Sequence, residues 1–355
     1  MDARLFNFSP GPAMLPLPVL DEIAANIHVW GNLGVSPMEI SHRTEAYKEL
    51  SNETHQLLKQ VLGISDDYEV ISMHGGARTQ FAAVPINIAS KTATGYYIVS
   101  GLWSELALNE AKNFVNAQIL RKLQPNFGWQ YHDLSAPACY LHYTPNETVH
   151  GIYIQAPETD LPLVADATSA LLGTKLDINK HDLIYAAAQK NIGIAGLTFV
   201  IIKKSLLADN KPMAKTPSIM HYHNQVASES MYNTPTTFAM YVANLMIKWL
   251  ISQGGIDKIS ERNKARSNKL YSYLERSEFY NKLVPKEFRS PLNVTFDLKD
   301  NSLLPDFLAG ANAAGLFALK GHKAVGGIRA SLYNGMPNSG VDKLLEFLDH
   351  FANKA

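Results

Sequence analysis

The chain contains a single cysteine, Cys139, among its 355 residues. One thiol cannot form an internal disulfide, and it excludes a metal site built from several cysteines. Neither sign of charge is in excess, because 32 lysine and arginine residues balance 32 aspartate and glutamate residues. A balanced charge gives no global attraction to nucleic acid or to an anionic membrane. The sequence has no apolar stretch of membrane-spanning length and starts without an apolar signal segment, so we expect a cytoplasmic protein.

The composition is that of a globular protein large enough for two domains, with 46% apolar and 18% charged residues. Short apolar runs alternate with helical patterns, which predicts an α/β fold with a largely parallel sheet. The strand-like runs are 68–73, 95–99, 138–143, 161–165, 293–298 and 327–332. We expect a large domain over 16–255 and a smaller C-terminal α/β domain over 256–355 that also includes 1–15.

The first of four unusual strand ends lies after Met73. Two glycines, Gly75 and Gly76, come next, followed by Arg78 and a helical pattern over about 80–89. Glycines permit a tight turn, and the free amides of a helix start attract a phosphate, to which an arginine can also bind. No Gly-Lys-Ser/Thr triplet follows, so the motif is not a P-loop. An ordinary strand-to-helix turn is the alternative interpretation.

The other three strand ends carry Trp103, Asp166 and Lys190. An indole can stack on a flat ring, although a lone tryptophan is also common in a protein core. A carboxylate after a buried apolar run can cap a helix, bind a metal or pair with a protonated ring nitrogen. Metal binding is the weakest of the three, because no second carboxylate or spaced histidine accompanies Asp166. Burial lowers the pKa of a lysine and makes its amine a nucleophile for carbonyl carbons, whereas a lysine that extends to solvent is the alternative.

One cofactor explains all four positions. Pyridoxal phosphate needs amides and an arginine for its phosphate, a flat surface for its ring, a carboxylate for its ring nitrogen and a lysine for its aldehyde. Ligands of open α/β sheets bind at the carboxyl ends of the strands. The sequence therefore predicts a pyridoxal-phosphate site at that edge of the sheet.

Seven segments, in order along nearly the whole chain, resemble the phosphoserine aminotransferase family of the fold-type I pyridoxal-phosphate enzymes. These segments are 6–16 (FNFSPGPAMLP), 38–43 (MEISHR), 75–82 (GGARTQFA), 145–148 (PNET), 188–193 (AQKNIG), 232–238 (YNTPTTF) and 319–331 (LKGHKAVGGIRAS). The resemblance implies a ping-pong transamination between glutamate and 3-phosphohydroxypyruvate, as in serine biosynthesis. It further implies a homodimer with a shared active site, and in bacteria an additional four-carbon substrate from vitamin B6 synthesis.

The resemblance also implies a role for individual residues. Lys190 would form a Schiff base with the cofactor and move the proton of the substrate α-carbon, and Asp166 would keep the ring nitrogen protonated. The residues implied to hold the cofactor are Gly76, Ala77, Arg78, Trp103, Thr148, Asp166, Gln189 and Lys190, together with Asn233 and Thr234 from the partner subunit. Those implied to bind the anionic groups of the substrate are His42, Arg43, His322, Lys323 and Arg329.

Two of these positions depart from the family pattern, because Lys323 stands where arginine is usual and Ala77 where glycine is usual. Lysine keeps the charge but lacks the planar fork of a guanidinium, so the preference for a phosphorylated substrate is open. An aminotransferase for another small anionic substrate is therefore the main alternative. A non-catalytic relative and a desulfurase are two others, and a desulfurase would need Cys139 as a mobile nucleophile.

Overall fold

The computed structural model of the protein describes residues 4–133 and 136–354. Its strands are β1 (Phe6–Asn7), β2 (Tyr68–His74), β3 (Thr94–Val99), β4 (Asn116–Leu123), β5 (Trp129–Tyr131), β6 (Ala138–Tyr143), β7 (Asn146–Glu147), β8 (Ile152–Tyr153), β9 (Leu163–Asp166), β10 (Leu183–Ala187), β11 (Leu197–Lys203), β12 (Tyr280–Lys282), β13 (Asn293–Leu298), β14 (Leu316–Phe317) and β15 (Ile328–Ser331). Its α-helices are α1 (Leu17–Asn26), α2 (Glu45–Leu62), α3 (Ala77–Ile88), α4 (Leu102–Ala111), α5 (Lys204–Asp209), α6 (Tyr222–Ala227), α7 (Thr237–Ser252), α8 (Gly255–Arg276), α9 (Leu304–Ala313) and α10 (Asn338–Lys354). Short 3-10 helices cover Ile178–Lys180, Ser218–Met220, Lys286–Phe288 and Asn301–Leu303.

An eight-stranded sheet with the order β2-β11-β10-β9-β6-β3-β4-β5 forms the centre of the fold. β9 is parallel to β10 and β6, and β3 is parallel to β6 and β4. β11 lies antiparallel between β2 and β10, and β5 is antiparallel to β4. Six of the eight strands therefore run in one direction, and the prediction of an α/β fold with a mostly parallel sheet is confirmed.

Two of the predicted elements differ from the expected bounds by more than one residue. The strand expected over 161–165 is β9, which starts two residues later and includes Asp166 as its last residue. The helix expected over 80–89 is α3, which begins at Ala77 because Gly76 is its N-cap. Pro85 lies inside α3 without ending it. The first turn of this helix therefore contains both Ala77 and Arg78.

Helices cover both faces of the sheet, which explains why its central strands are continuous apolar runs. Every residue of β10 is buried. On one face, apolar side chains of α2 and α7 pack with those of the strands, and on the other face those of α3 and α4 do so. The sheet is therefore a rigid support for whatever its strand ends carry.

A second, three-stranded sheet with the order β12-β13-β15 packs with α8, α9 and α10 around a third apolar cluster. β1 pairs in parallel with β14, so the start of the chain joins this C-terminal part. The division into domains over 16–255 and 256–355 stays a prediction, and residues 1–3 and 355, which the smaller domain includes, lie outside the described residues. Within the described part of the chain, no helix is long and apolar enough to cross a membrane.

The direction of the strands places several loops at one edge of the large sheet. β2, β3, β6, β9 and β10 all end at this edge, because they run in the same direction. β11 runs the opposite way and begins there, so the turn that joins β10 to β11 lies at the same edge. All four strand ends that the sequence singles out thus converge.

Candidate active site

The turn after β2 has the shape of an anion cradle. Gly75 has a φ of +99°, and a Cβ at this position would collide with the side chain of Thr79, so only glycine suits it. A Cβ on Gly76 would meet nothing within 4 Å, which leaves open space in front of the start of α3. The first amides of a helix have no partners within the helix, and the helix dipole is positive at this end. Gly76, Ala77 and Arg78 therefore present donors and positive charge to one space.

Trp103 lies in the first turn of α4, directly after β3. Its indole Nε1 donates a hydrogen bond of 2.9 Å to Thr148 Oγ1, which fixes the ring in the loop after β7. Lys190 Nζ lies 5.7 Å from the centroid of the indole ring and Arg78 Cζ lies 5.9 Å from it. The tryptophan therefore packs against the core next to the sheet while its ring faces two cations of the site.

Asp166 is 4% exposed at the end of β9. Its Oδ1 accepts a 3.0 Å hydrogen bond from the amide of Thr168, so the carboxylate also stabilises the turn that follows. Burial raises the pKa of Asp166 above its ordinary value, and the bond from Thr168 and the charge of Lys190 oppose this shift. A carboxylate kept ionised in such a place needs a cationic partner.

Lys190 lies in the turn between β10 and β11, and it is half-buried. Burial lowers the pKa of Lys190 to about 8, while Asp166 and Glu147 act in the opposite direction and Arg329 adds to the lowering. Within the described chain its Nζ makes no hydrogen bond and no ion pair. A weakly held amine of lowered pKa, next to a carboxylate, is the arrangement that favours reaction with a carbonyl carbon.

Arg329, in β15, brings a guanidinium from the C-terminal part of the chain to the same cavity. It is 5% exposed, and its Nη1 donates a 3.3 Å hydrogen bond to the carbonyl oxygen of Thr148. Its Nε is buried and has no partner within the described residues. An arginine with an unused, buried donor is suited to bind a carboxylate of a ligand.

These residues line one cavity of about 390 Å³. The residues that line it are Pro10, Gly11, Gly76, Ala77, Arg78, Trp103, Thr144, Asn146, Thr148, Val149, Asp166, Thr168, Ser169, Gln189, Lys190, His322 and Arg329. Eight predicted cofactor contacts (Gly76, Ala77, Arg78, Trp103, Thr148, Asp166, Gln189 and Lys190) and two predicted substrate contacts (His322 and Arg329) are among them. Their roles stay predictions, but the structure brings all ten together.

Five predicted residues do not line this cavity. His42, Arg43, Asn233 and Thr234 form a separate surface groove with Lys48, Met231 and Tyr232. In a single chain His42 and Arg43 do not meet Arg329, because the segment after Ile40 lies beside the loop before α7, and their role in binding substrate stays a prediction. Lys323 is exposed next to His322, in a loop that turns back through hydrogen bonds from Val325 and Gly326 to the His322 carbonyl.

Pyridoxal phosphate fits the residues that are present. The start of α3, with its free amides, lines the cavity together with Lys190 and the buried Asp166. Thr144 Oγ1 and Arg329 Nε are buried in its lining and have no partner among residues 4–133 and 136–354, which suits a lining that binds a further polar group. Among the described residues no group of three or more His, Cys, Asp or Glu side chains could hold a metal ion.

Glu147, Thr144 and Asn146 lie in or beside the lining and are not among the residues predicted from the sequence. They follow β6 as Asp166 follows its own apolar run, so the same signal, polar residues directly after a buried strand, was available. Glu147 is fully buried, and burial raises its pKa to about 6 against hydrogen bonds from Ser104 and Trp103 that lower it.

Comparison with known proteins agrees with this geometry. The family described as "Aminotransferase class-V" matches residues 5–344, and the fold and the site define a pyridoxal-phosphate-dependent aminotransferase of that class. The phosphoserine aminotransferase of Idiomarina loihiensis is 45% identical, and that of Blochmanniella floridana is 43% identical, each over 99% of both chains. The chain belongs to the phosphoserine aminotransferase family.

Solved structures give the same result. The phosphoserine aminotransferase of Bacillus circulans subsp. alkalophilus superposes with a TM-score of 0.93 at 35% identity, over 99% of both chains. A phosphoserine aminotransferase of Trichomonas vaginalis, solved with pyridoxal phosphate bound, has a TM-score of 0.91 at 33% identity and covers 98% of this chain and 100% of its own. The cofactor of this chain is accordingly pyridoxal phosphate.

Proposed function

We propose that the protein transfers the amino group between glutamate and 3-phosphohydroxypyruvate in a ping-pong reaction, giving 2-oxoglutarate and O-phosphoserine. The observation that carries this proposal is the cavity that Lys190 and Asp166 share with Arg329 and the start of α3. The reaction belongs to serine biosynthesis, and a cytoplasmic location is part of the proposal.

Each part of the cofactor has a group in this chain that would hold it. The amides of Gly76, Ala77 and Arg78, with the Arg78 side chain, would bind the phosphate. The indole of Trp103 would stack on the ring, and Thr148 would contact the phenolic oxygen while its Oγ1 accepts the indole N–H. Asp166 would pair with the ring nitrogen, and Gln189 would contribute to the phosphate site.

When bound, the cofactor withdraws electrons from the α-carbon of the substrate. The residues of the chain do the rest. Because burial lowers its pKa to about 8, a larger fraction of Lys190 is neutral near neutral pH than of an ordinary lysine, and this neutral amine can take a proton from the α-carbon and return it. Arg329 would bind the α-carboxylate through its fork, which fixes the direction in which the α-proton points.

The distal anion of the substrate needs cations beyond Arg329. His322 lines the cavity, and burial lowers the pKa of this imidazole, with Arg329 and Lys323 acting in the same direction. The other predicted cations, His42 and Arg43, lie in the surface groove. Arg43 is exposed, and its guanidinium makes no hydrogen bond or ion pair within the described residues. We therefore assign His42 and Arg43, with Asn233 and Thr234, to the active site of the partner subunit in a homodimer.

Exposed apolar side chains support this dimer. Leu33, Val35 and Met38 are 45%, 40% and 55% exposed in the segment that leads to His42, and Tyr232 beside Asn233 is 44% exposed. Apolar side chains grouped in this way mark a surface that another protein covers. A second copy of the chain that covers it would bring the groove to the cavity of its neighbour.

A comparison of amino donors tests the proposed substrate. The purified protein, loaded with pyridoxal phosphate, is assayed with 2-oxoglutarate and O-phosphoserine, serine, alanine or 4-phosphohydroxythreonine. We expect kcat/KM for O-phosphoserine to exceed that for serine and alanine by about 100-fold or more, as removal of a charged contact from a buried site does. Equal values for phosphorylated and non-phosphorylated donors would contradict the phosphate pocket.

The exposure of Lys323 favours a second candidate. If this lysine contributes nothing to the cavity, a small anionic donor without a phosphate, such as aspartate, could be preferred. A higher kcat/KM for aspartate than for O-phosphoserine would establish this alternative. A Lys323→Arg variant serves as the matched change, because it restores the guanidinium that is usual in the family.

A further inference from the structure

Among the residues that the structure describes, Glu147 is the buried acid beside the cavity that the proposed chemistry does not use. It is 0% exposed at the end of β7, next to Thr148. Its two carboxylate oxygens accept three hydrogen bonds from the first turn of α4. Oε2 accepts from the Trp103 amide at 2.9 Å, and Oε1 accepts from the Ser104 amide at 2.8 Å and from the Ser104 hydroxyl at 2.6 Å.

Helix stability alone does not require this carboxylate. A helix is usually capped by the side chain of its own N-cap residue, and at an exposed end a serine or asparagine suffices. Here the N-cap is Gly101, which has no side chain, and the cap comes from a residue more than forty positions later in the chain. The burial of this acid is unfavourable, since it raises the pKa to about 6. A remote, buried cap ties two loops of the site together, which a local cap cannot do.

Glu147 and Thr148 hold Trp103 at two points. The carboxylate binds the backbone amide of Trp103, and the next residue, Thr148, binds its indole N–H. Gly101 leaves the space that this arrangement needs, because a Cβ at Gly101 would lie 2.7 Å from Glu147 Cδ. The φ of Gly101 is 179°, an extended value open to any residue, so the space for Glu147 is what requires glycine.

We propose that Glu147 is a positioning residue that fixes Trp103, and through it the surface on which the cofactor ring stacks, relative to Lys190. The inference rests on the proposed function of the cavity. It assigns Glu147 no contact with the substrate or the reacting atoms. Its positioning effect passes through the indole, and its charge separately opposes the lowering of the Lys190 pKa.

The substitution Glu147→Gln removes the charge and keeps the shape. A glutamine has one acceptor oxygen and one NH₂ group, so at least one of the two backbone amides would face a donor. Gly101→Ala is an independent change that keeps the carboxylate but displaces it. Glu105→Gln is the matched control, since Glu105 is an acid of the same helical turn that pairs at the surface with Lys122 at 3.1 Å.

The first readout needs neither cofactor nor activity. The four tryptophans are labelled with 5-fluorotryptophan, and the ¹⁹F resonance of Trp103 is assigned from a Trp103→Phe variant. We expect Glu147→Gln and Gly101→Ala to shift or broaden the Trp103 resonance and to leave the other three in place. Glu105→Gln should leave all four unchanged.

The second readout is the dissociation constant for pyridoxal phosphate, which we expect to rise about tenfold or more in both variants, as loss of a hydrogen bond to a charged group does. The melting temperature of each variant separates this role from a purely structural one. A folded variant with a lower melting temperature but a native Trp103 resonance, or with cofactor affinity within twofold of the original, would overturn the proposal. Should the protein bind cofactor but not transaminate phosphoserine, the proposed substrate would fail while this inference would stand.

Discussion

The lowered pKa of Lys190 makes a prediction about stability that can be tested without any substrate. We consider Lys190→Met, which keeps the length of the side chain and removes its charge, in protein freed of cofactor. The pKa of Lys190 falls from 10.5 to about 8 in the folded chain. Since a tenfold change in proton affinity corresponds to about 1.4 kcal/mol, the ammonium destabilises the folded state by at most about 3 kcal/mol. Because Lys190 is half-buried and solvent screens part of its charge, we expect about 1–2 kcal/mol.

The sign follows from the protons bound in each state. Between pH 8 and 10.5 the unfolded chain keeps the lysine proton while the folded chain has lost it, so Lys190 makes the protein more stable as the pH rises through this window. Lys190→Met should therefore be more stable than the original at pH 7. Its advantage should shrink as the pH approaches 10.

Urea unfolding of both proteins at pH 7 and at pH 9.5, at one fixed protein concentration, measures how the stability difference between Lys190→Met and the original changes with pH. The fixed concentration matters because a dimer gains stability with concentration. Lys211→Met, at an exposed lysine, is the control and should show no pH-dependent difference. An equal or lower stability of Lys190→Met at pH 7, or an advantage that is the same at both pH values, would refute the account of this amine.

Four further predictions concern the site. Asp166→Asn should lower kcat by about 100-fold or more, because a neutral amide cannot stabilise a protonated ring nitrogen. Steady-state kinetics with saturating cofactor measure the effect, and a near-native kcat would contradict the role of Asp166. Arg329→Leu should raise KM for every amino donor alike, since all carry an α-carboxylate; a loss confined to phosphorylated donors would reassign this residue to the distal anion. Gly76→Ala should leave the melting temperature within a few degrees but weaken cofactor binding, because its Cβ would enter the open space before α3. Gly75→Ala, at a φ of +99°, should instead destabilise the fold by about 1–3 kcal/mol. Thermal melts and cofactor titrations of both variants measure the two effects. Mixing inactive Lys190→Ala with inactive Arg43→Ala should restore part of the activity through mixed dimers, and no recovery after joint refolding would contradict the assignment of the surface groove to the partner.

Much of the site could be predicted because its signal is local. Asp166 and Lys190 each follow an apolar run long enough to be a buried strand. A charged side chain in that place is unfavourable unless it binds a partner of opposite charge or a ligand. The parallel strands then bring these ends to one edge of the sheet. The antiparallel direction of β11 could also be predicted from the sequence. The connection from β10 to β11 is short, and a parallel crossover needs a dozen or more residues.

The rest depends on contacts between distant segments. Glu147 belongs to a two-residue strand, too short for any periodic pattern, and its burial comes from α4 more than forty residues earlier. The distance between Arg43 and Arg329 could not be predicted for the same reason. No local pattern distinguishes an arginine that contributes to the site of its own chain from one that contributes to the site of a partner subunit.

Covalent trapping tests most directly whether Lys190 is the residue that reacts with the cofactor. The protein is loaded with pyridoxal phosphate, reduced with sodium borohydride and digested, and the modified peptide is found by mass spectrometry. We expect one stoichiometric modification, on the peptide that contains Lys190, and none in Lys190→Ala. Modification of another lysine in its place, or retention of the cofactor without any reducible bond to the protein, would contradict the account.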